Sequence, residues 1–203
     1  MLEETRPSSG IIDLMTKSGA LLTGHFELAS GLHSEKYIQC ALLLEDPSRA
    51  ERVGCELAAA VKDEIGGIDP SVVVSPALGG VVIGHEVARA LGSRSIFTER
   101  VSGKMSLRRG FGIETGEKAV VVEDVTTTGG SIREVVEVIS KGGGEVVGVG
   151  LIVNRAKSLS LGVPLAWLVR AEIENHDPEN CPLCKAGVTL VKPGSKRIQM
   201  EAR

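Results

Sequence analysis

Aromatic residues are scarce in this sequence, which has one tryptophan, one tyrosine and three phenylalanines among 203 residues. A protein that binds single-stranded nucleic acid usually stacks the bases on several aromatic rings, so the composition does not favour that class. The net charge of -3 at pH 7 also argues against a general nucleic-acid binder, which displaces counterions with a basic surface. We therefore expect no nucleic-acid partner, although a few local cations can still form a pocket for a small anion.

Long apolar runs are missing as well. Charged residues interrupt the longest of them well short of the ~20 residues that a membrane helix needs. The first ten residues, MLEETRPSSG, carry two acids and no apolar stretch, unlike a secretory signal. We therefore expect a cytoplasmic protein with no membrane partner.

Cysteine is also infrequent. The four cysteines are Cys40, Cys55, Cys181 and Cys184, which is too few for a secreted disulfide framework in a chain of this length. Cys40 and Cys55 lie in apolar surroundings, which predicts that both are buried packing residues.

The apolar residues that are present predict an α/β domain. They make up 42% of the chain, enough for one domain with a substantial core. Asp46 and Pro47 are typical of a helix start, and a second helix is predicted over 131–140. Short apolar runs alternate with such helical patterns, which favours a mostly parallel central sheet flanked by helices. The predicted strands are 72–74, 94–98, 119–122, 146–153 and 165–169.

A polar segment interrupts this pattern at residues 99–112. It contains four basic residues and little periodicity. We interpret it as a mobile loop with a hairpin at its end.

The most informative segment is VVVEDVTTTGGSI, residues 120–132. A strand leads to two adjacent acids, Glu123 and Asp124, then to a Thr/Gly/Ser loop and a helix. Ligands of parallel sheets bind beyond the carboxyl ends of the strands, where two carboxylates can accept hydrogen bonds from neighbouring ribose hydroxyls. The loop offers backbone N–H groups and hydroxyls, and the helix directs its positive end at them, which together predict a phosphate site.

Two other phosphate-binding motifs are excluded. The segment is not a Walker loop, because no Gly-Lys-Ser/Thr follows, and it is not a dinucleotide-binding fingerprint, because the G-x-G-x-x-G spacing is absent. The segment resembles the signature that binds 5-phosphoribosyl pyrophosphate (PRPP) in the type I phosphoribosyltransferase family. The alternative is an ordinary strand-to-helix turn that is rich in Thr and Gly. The resemblance implies that PRPP contacts Glu123, Asp124, Val125, Thr126, Thr127, Thr128, Gly129, Gly130 and Ser131.

Three further segments resemble the orotate phosphoribosyltransferases of that family. TGHFELASGLHSEKYIQCALL, at 23–43, is similar to their hood, and VVVSPALGGVVIGHEVARALG, at 72–92, to their pyrophosphate-side loop and helix. IFTERVSGKMSLRRGF, at 96–111, is similar to their catalytic loop. The resemblance implies the type I phosphoribosyltransferase fold as one domain over 1–203. Its hood would comprise about 19–43 and 165–194, and its PRPP-binding core about 45–164.

The resemblance also implies roles for individual residues. Arg100 and Lys104 would hold pyrophosphate in the active site of the other subunit of a homodimer, which would share the loop 99–110. Lys104, Arg100 and Asp124 would be catalytic, and Thr127 and Arg155 would contact orotate. One departure is Gly79, where some members of the family carry a lysine.

The implied reaction transfers ribose 5-phosphate from PRPP to orotate with Mg²⁺, giving orotidine 5′-monophosphate and pyrophosphate in pyrimidine biosynthesis. One alternative is a phosphoribosyltransferase for adenine, xanthine or uracil. Another is a regulator that senses PRPP without catalysis. About eighteen residues precede the hood, which is too few for an attached DNA-binding helix-turn-helix.

Cys181 and Cys184 form a separate C-x-x-C pair, the spacing of half a zinc site. His176 is the candidate third ligand, and Asp177, His25, water or another subunit could supply a fourth. Two free thiols or a disulfide are the simpler alternatives. His33 is interpreted as a surface histidine.

Overall fold

The computed structural model describes residues 1–5, 10–28 and 30–193, which form ten strands and six helices. Residues 6–9, 29 and 194–203 lie outside the described part, including Gly194, where the predicted hood ends. The helices are α1 (Ile11–Lys17), α2 (Cys40–Leu44), α3 (Pro47–Glu64), α4 (Gly79–Leu91), α5 (Gly130–Lys141) and α6 (Pro182–Lys185). The strands are β1 (Leu2–Glu4), β2 (Leu21–Glu27), β3 (His33–Ile38), β4 (Val72–Pro76), β5 (Arg94–Val101), β6 (Lys104–Leu107), β7 (Lys118–Thr126), β8 (Glu145–Asn154), β9 (Leu165–Ala171) and β10 (Asn175–His176).

Seven strands of the described residues form the main sheet, in the order β1-β9-β8-β7-β4-β5-β6. The five inner strands are parallel, and the two edge strands, β1 and β6, are antiparallel to their neighbours. All five predicted strands lie in this sheet, so the expected mostly parallel architecture is confirmed. Parallel strands place their carboxyl ends at one edge of the sheet, where the motif at the end of β7 lies.

Helices cover both faces of the sheet. Successive β-branched side chains along the strands alternate between two apolar clusters. Val73 and Val120 face α3 and α4, whereas Val74 and Val121 face α5. Helix α3 begins as predicted, because the Asp46 carboxylate accepts a hydrogen bond from the backbone N–H of Arg49 at 2.9 Å. No helix in the described residues is long and apolar enough to cross a membrane.

A second, antiparallel sheet has the order β10-β3-β2, and its strands lie within the segments predicted to form the hood. Its C-terminal boundary differs from the prediction. Residues 165–171 form β9, which pairs with β8 and β1 in the main sheet, so the C-terminal contribution to the hood starts after Ala171. Apolar alternation identifies a strand but does not reveal which sheet it joins.

Two smaller interpretations need correction. Residues 99–107, interpreted as part of a loop, continue β5 and form β6, so that the predicted hairpin occupies most of the segment. Cys40 is buried as predicted, but Cys55 is exposed. Cys55 lies on the outer side of α3, where helical periodicity brings one position of an apolar run to the surface.

Candidate functional site

The PRPP-type motif forms a compact turn between β7 and α5. The backbone N–H of Gly129 donates to the Thr126 hydroxyl at 2.9 Å, which closes the loop on itself. Gly129 has φ +77°, and a Cβ there would lie 2.5 Å from Leu159 Cδ1, so glycine is strongly favoured at this position. Thr127 and Thr128, between these residues, are exposed.

Helix α5 begins directly after this turn. Its first residues are Gly130 and Ser131, and its N-cap Gly129 supplies no side-chain hydrogen bond. The N–H groups of the first helical turn have no partner within the helix, and they attract anions. The arrangement therefore fits a phosphate group bound across residues 127–131.

Glu123 and Asp124 precede the turn in an environment that disfavours their charge. Burial and the neighbouring Asp124 carboxylate raise the pKa of Glu123 to about 8. Burial also raises the pKa of Asp124, although hydrogen bonds from the backbone oppose that change. No lysine or arginine in the described part of the chain lowers either pKa. Two buried carboxylates without a cationic partner are suited to hydroxyl donors or to a bound cation.

The start of α4 approaches the same carboxylates. A Cβ on Gly79 would lie 2.7 Å from Asp124 Oδ1, so the absence of a side chain lets this loop contact Asp124 closely. The α4 N-terminus also lacks a side-chain cap. Pyrophosphate-side and ribose-side elements, predicted from separate segments, therefore meet at Asp124.

Arg155 directly follows β8, the strand that pairs with β7, and lies beside the turn after β7. Its backbone N–H donates to the Thr126 carbonyl at 2.8 Å. Burial lowers the pKa of its guanidinium, and its Nε atom is buried without a hydrogen-bond partner among the described residues. A buried N–H of a guanidinium is costly to leave without an acceptor, unless a ligand supplies one.

Asn154 is a residue that the sequence interpretation missed. It pairs with Thr126 in the sheet register, is 1% exposed, and has a side-chain Nδ2 without a partner in the described residues. Its Oδ1 accepts from the backbone N–H of Ala156 at 3.0 Å. The amide donor is thus another unsatisfied polar group beside Arg155, and only its position at the end of β8 could have indicated it.

The basic hairpin carries Arg100 and Lys104 at its exposed end. The Arg100 guanidinium forms two 3.0 Å contacts with the carboxylate of Glu134, on α5. Arg109 pairs in the same way with Glu99 at 2.8 Å. Arg100 is therefore held within its own chain, close to the helix that follows the phosphate loop.

The cysteine pair has one neighbour that was among the expected candidates, His25, and one that was not, His33. Cys181 and Cys184 lie with His25 and His33, and the four ligand atoms are within 4.8 Å of one another. His176, the expected third ligand, pairs with His33 through the β10–β3 register and is not in this group. The surface interpretation of His33 was wrong, since it is 5% exposed.

Comparisons with known proteins agree with this geometry. A family model described as "Phosphoribosyl transferase domain" matches residues 43–178. The orotate phosphoribosyltransferase of Desulforamulus reducens is 51% identical over 93% of this chain and 97% of its own length. That of Thermotoga petrophila is 47% identical over 93% of this chain and 100% of its own length.

A solved structure supports the same assignment. The orotate phosphoribosyltransferase of Aeropyrum pernix superposes with a TM-score of 0.64 at 28% identity, covering 77% of this chain and 91% of that one. An adenine phosphoribosyltransferase from Thermoanaerobacter pseudethanolicus, at 19% identity and a TM-score of 0.56 over 67% of this chain and 88% of that one, shares the fold. The chain therefore belongs to the phosphoribosyltransferase family, and the curated relatives it matches at about half identity are orotate phosphoribosyltransferases.

Proposed function

We propose that this protein transfers ribose 5-phosphate from PRPP to N1 of orotate, giving orotidine 5′-monophosphate and pyrophosphate in pyrimidine biosynthesis. The observation that carries the proposal is the arrangement around the end of β7. An uncapped helix N-terminus, the carboxylates of Glu123 and Asp124, and a guanidinium whose buried Nε has no partner in the described residues meet there. Near-full-length relatives with this activity support the choice of orotate.

Each group has a distinct part in the proposed reaction. Residues 126–131 bind the 5-phosphate through backbone N–H groups and hydroxyls. Glu123 and Asp124 accept hydrogen bonds from the ribose hydroxyls, and the ionised form of either carboxylate favours the positive charge that develops on the ribose ring. Arg155 binds the orotate carboxylate or carbonyl oxygens, for which a planar guanidinium is suited.

The bond changes need no nucleophile from the protein. The bond between the anomeric carbon and the pyrophosphate oxygen breaks with its electron pair on pyrophosphate. The bond from that carbon to N1 of orotate forms, and the N1 proton is released to solvent. Arg100 and Lys104 bind the pyrophosphate as its negative charge increases. Catalysis thus depends on alignment and on charge neutralisation.

The residues present fit Mg²⁺, which prefers oxygen ligands and phosphates. Glu123 and Asp124 are oxygen donors, and no lysine or arginine in the described ranges offsets their charge. When bound together with PRPP, the ion would neutralise pyrophosphate charge. In our proposal Asp124 would hold it indirectly, through the ribose hydroxyls.

The test is an assay of orotate consumption. Purified protein is mixed with PRPP, Mg²⁺ and orotate, and the loss of orotate's ultraviolet absorbance is followed, with a control that lacks PRPP. We expect a loss of absorbance that requires PRPP. We also expect that neither adenine nor uracil replaces orotate as a substrate. If PRPP raises the melting temperature while orotate is untouched, the phosphate site stands and the base assignment is wrong. If neither assay responds to PRPP, the interpretation of residues 123–131 is wrong.

The homodimer with a shared hairpin and the cytoplasmic location stay predictions. The hairpin supports the former, because Arg100 and Lys104 lie at its exposed end, where a second subunit could contact them.

A further inference from the structure

Four side chains that are distant in sequence converge in the hood. His25 lies on β2 and His33 on β3, whereas Cys181 and Cys184 flank the start of α6. The four ligand atoms lie within 4.8 Å of one another. The group contains two sulfur and two nitrogen donors, a set that is typical of structural zinc sites.

Four of the six separations are close to those of tetrahedral coordination, and the other two, both from Cys181, are no longer than 4.8 Å. Bonds of about 2.3 Å to sulfur and about 2.0 Å to nitrogen place neighbouring ligand atoms roughly 3.3–3.8 Å apart. Cys181 Sγ is 3.4 Å and Cys184 Sγ is 3.7 Å from His25 Nε2, and Cys184 Sγ is 3.3 Å from His33 Nδ1. The two histidine nitrogens, at 3.0 Å, are closer by only a few tenths of an ångström.

A hydrogen bond to the backbone fixes which nitrogen of His25 faces the group. His25 Nδ1 is 2.8 Å from the Val188 carbonyl, and only a protonated Nδ1 can donate to that oxygen. In the neutral ring, Nε2 then carries a lone pair, which points toward His33 Nδ1 and both sulfur atoms. A ligating histidine usually donates its other N–H to a carbonyl in this way, which fixes its tautomer.

Burial favours a metal over free thiols. Cys181 is 0% exposed, His25 2% and His33 5%, whereas Cys184 is exposed, so three of the four donor residues are shielded from water. The backbone around the cysteines is a tight turn, in which the N–H of Gly187 donates to the Cys184 carbonyl and the N–H of Lys185 to the Cys181 carbonyl. C-x-x-C turns of this kind direct two sulfur atoms at one point.

We propose that His25 Nε2, His33 Nδ1, Cys181 and Cys184 bind one structural Zn²⁺ ion per chain. With four protein ligands the site has no open position for substrate, which distinguishes it from a catalytic zinc site. The ion would join the N-terminal hood strands β2 and β3 to the C-terminal segment that contains α6. This inference is independent of the proposed transfer reaction.

The first measurement is the zinc content of protein purified without chelator and freed of loose metal by gel filtration. We expect about one zinc per chain. We expect Cys184→Ser to lose at least nine-tenths of it, whereas Cys55→Ser, which changes an exposed cysteine of α3, keeps it. His176→Ala tests the earlier assignment, and we expect it to keep its zinc as well.

A second measurement does not depend on a variant that folds. The wild-type protein is stripped with a chelator under reducing conditions and titrated with Co²⁺ as a spectroscopic probe. We expect one equivalent to produce the intense visible bands of tetrahedral cobalt and the thiolate-to-metal band in the ultraviolet, and to restore the melting temperature lost on stripping. Two results would overturn the proposal: metal-free protein that gives no tetrahedral cobalt spectrum, or a disulfide between Cys181 and Cys184 in the purified chain. Loss of zinc in His176→Ala would overturn the ligand assignment.

Discussion

Arg100 and Glu134 form a two-pronged ion pair that joins the basic hairpin to α5, with both N–O distances at 3.0 Å. The backbone N–H of Met105, on β6, donates to the same carboxylate at 3.2 Å. An arginine that binds pyrophosphate has to exchange this carboxylate for the phosphate oxygens. Glu134 therefore acts as a resting partner for a cation that the proposed reaction needs elsewhere.

The two residues should respond differently to substitution. We expect Arg100→Ala to lower kcat/KM about tenfold or more, because a transition-state contact is lost. We expect Glu134→Gln to stay within about threefold of wild type, because exposed ion pairs contribute little stability. Steady-state kinetics with varied PRPP measure both, with Arg89→Ala as a control for an exposed ion pair on α3 and α4. Equal losses in the two variants would mean that docking of the hairpin matters, and not the arginine itself.

Substitution of Lys104 tests its proposed part in catalysis. We expect Lys104→Ala to lower turnover at least tenfold without changing the melting temperature, because the side chain is exposed. Activity within about twofold of wild type would remove its catalytic role.

A mixture of two variants tests whether subunits share the hairpin. Asp124→Asn is expected to be inactive, and it can be mixed with Lys104→Ala so that the two exchange subunits. If the hairpin acts in the partner's site, mixed dimers contain one intact site and about a quarter of wild-type activity returns. If it acts in its own chain, both sites of every mixed dimer are defective, and activity stays at the level of the separate variants.

The raised pKa of Glu123 predicts that the free energy of unfolding decreases as the pH rises. Its folded pKa of about 8 lies above the ordinary 4.5, so the folded protein keeps this proton longer than the unfolded chain does. This contribution to the free energy of unfolding is complete below pH 4.5 and is lost as pH rises through about 8. We expect Glu123→Gln to melt close to wild type at pH 5 and several degrees higher at pH 8.5, roughly 3–8 °C.

Thermal unfolding across a pH series measures this difference, and Glu137→Gln, at an exposed position of α5, is the control. A difference in melting temperature that does not change with pH would contradict the assigned burial. The same variant should bind PRPP more weakly, because it loses an acceptor for the ribose hydroxyls.

Gly79 should be sensitive to the smallest addition. A methyl group there would lie 2.7 Å from Asp124 Oδ1, so Gly79→Ala has to displace that carboxylate. We expect KM for PRPP to rise about tenfold, because small misplacements of a binding group are costly. Gly112→Ala is the matched control, since a Cβ there meets nothing within 4 Å. An unchanged KM in Gly79→Ala would show that Asp124 adapts or that it does not bind PRPP.

Arg155 should determine orotate binding and leave PRPP binding intact. We expect Arg155→Lys to raise KM for orotate tenfold or more, because lysine cannot form the paired contacts of a guanidinium. The rise in melting temperature caused by PRPP should persist. A loss of that rise would indicate a structural role for Arg155, through the turn that its backbone shares with Thr126.

Local patterns were sufficient to predict the five inner strands of the main sheet and the turn between β7 and α5. The strand that contains Glu123 and Asp124 and the helix after Gly129 are close together in sequence, so their order could be predicted without knowing the fold. Parallel topology then brings Arg155 to the same edge. The Arg100–Glu134 pair joins a hairpin to a helix 34 residues later, and no sequence pattern indicates it.

The hood was less predictable because its contacts are distant. Cys184 meets His33 across 151 residues, and the register of β2 against β3 shifts between Thr23 and Phe26. That irregularity changes the face to which the following side chains point, so simple alternation could not place His25 beside His33. His176 was the more obvious choice only because it is near the cysteines in sequence.

The hood is also assembled from both ends of the chain, which sets an order of events on the ribosome. At about 5–20 residues per second, the 151 residues that separate His33 from Cys184 take roughly 8–30 seconds to synthesise. Strands β2 and β3 therefore wait for their C-terminal partners, while the turn at 126–131 has already emerged. The residues of that turn therefore leave the ribosome well before those that complete the hood.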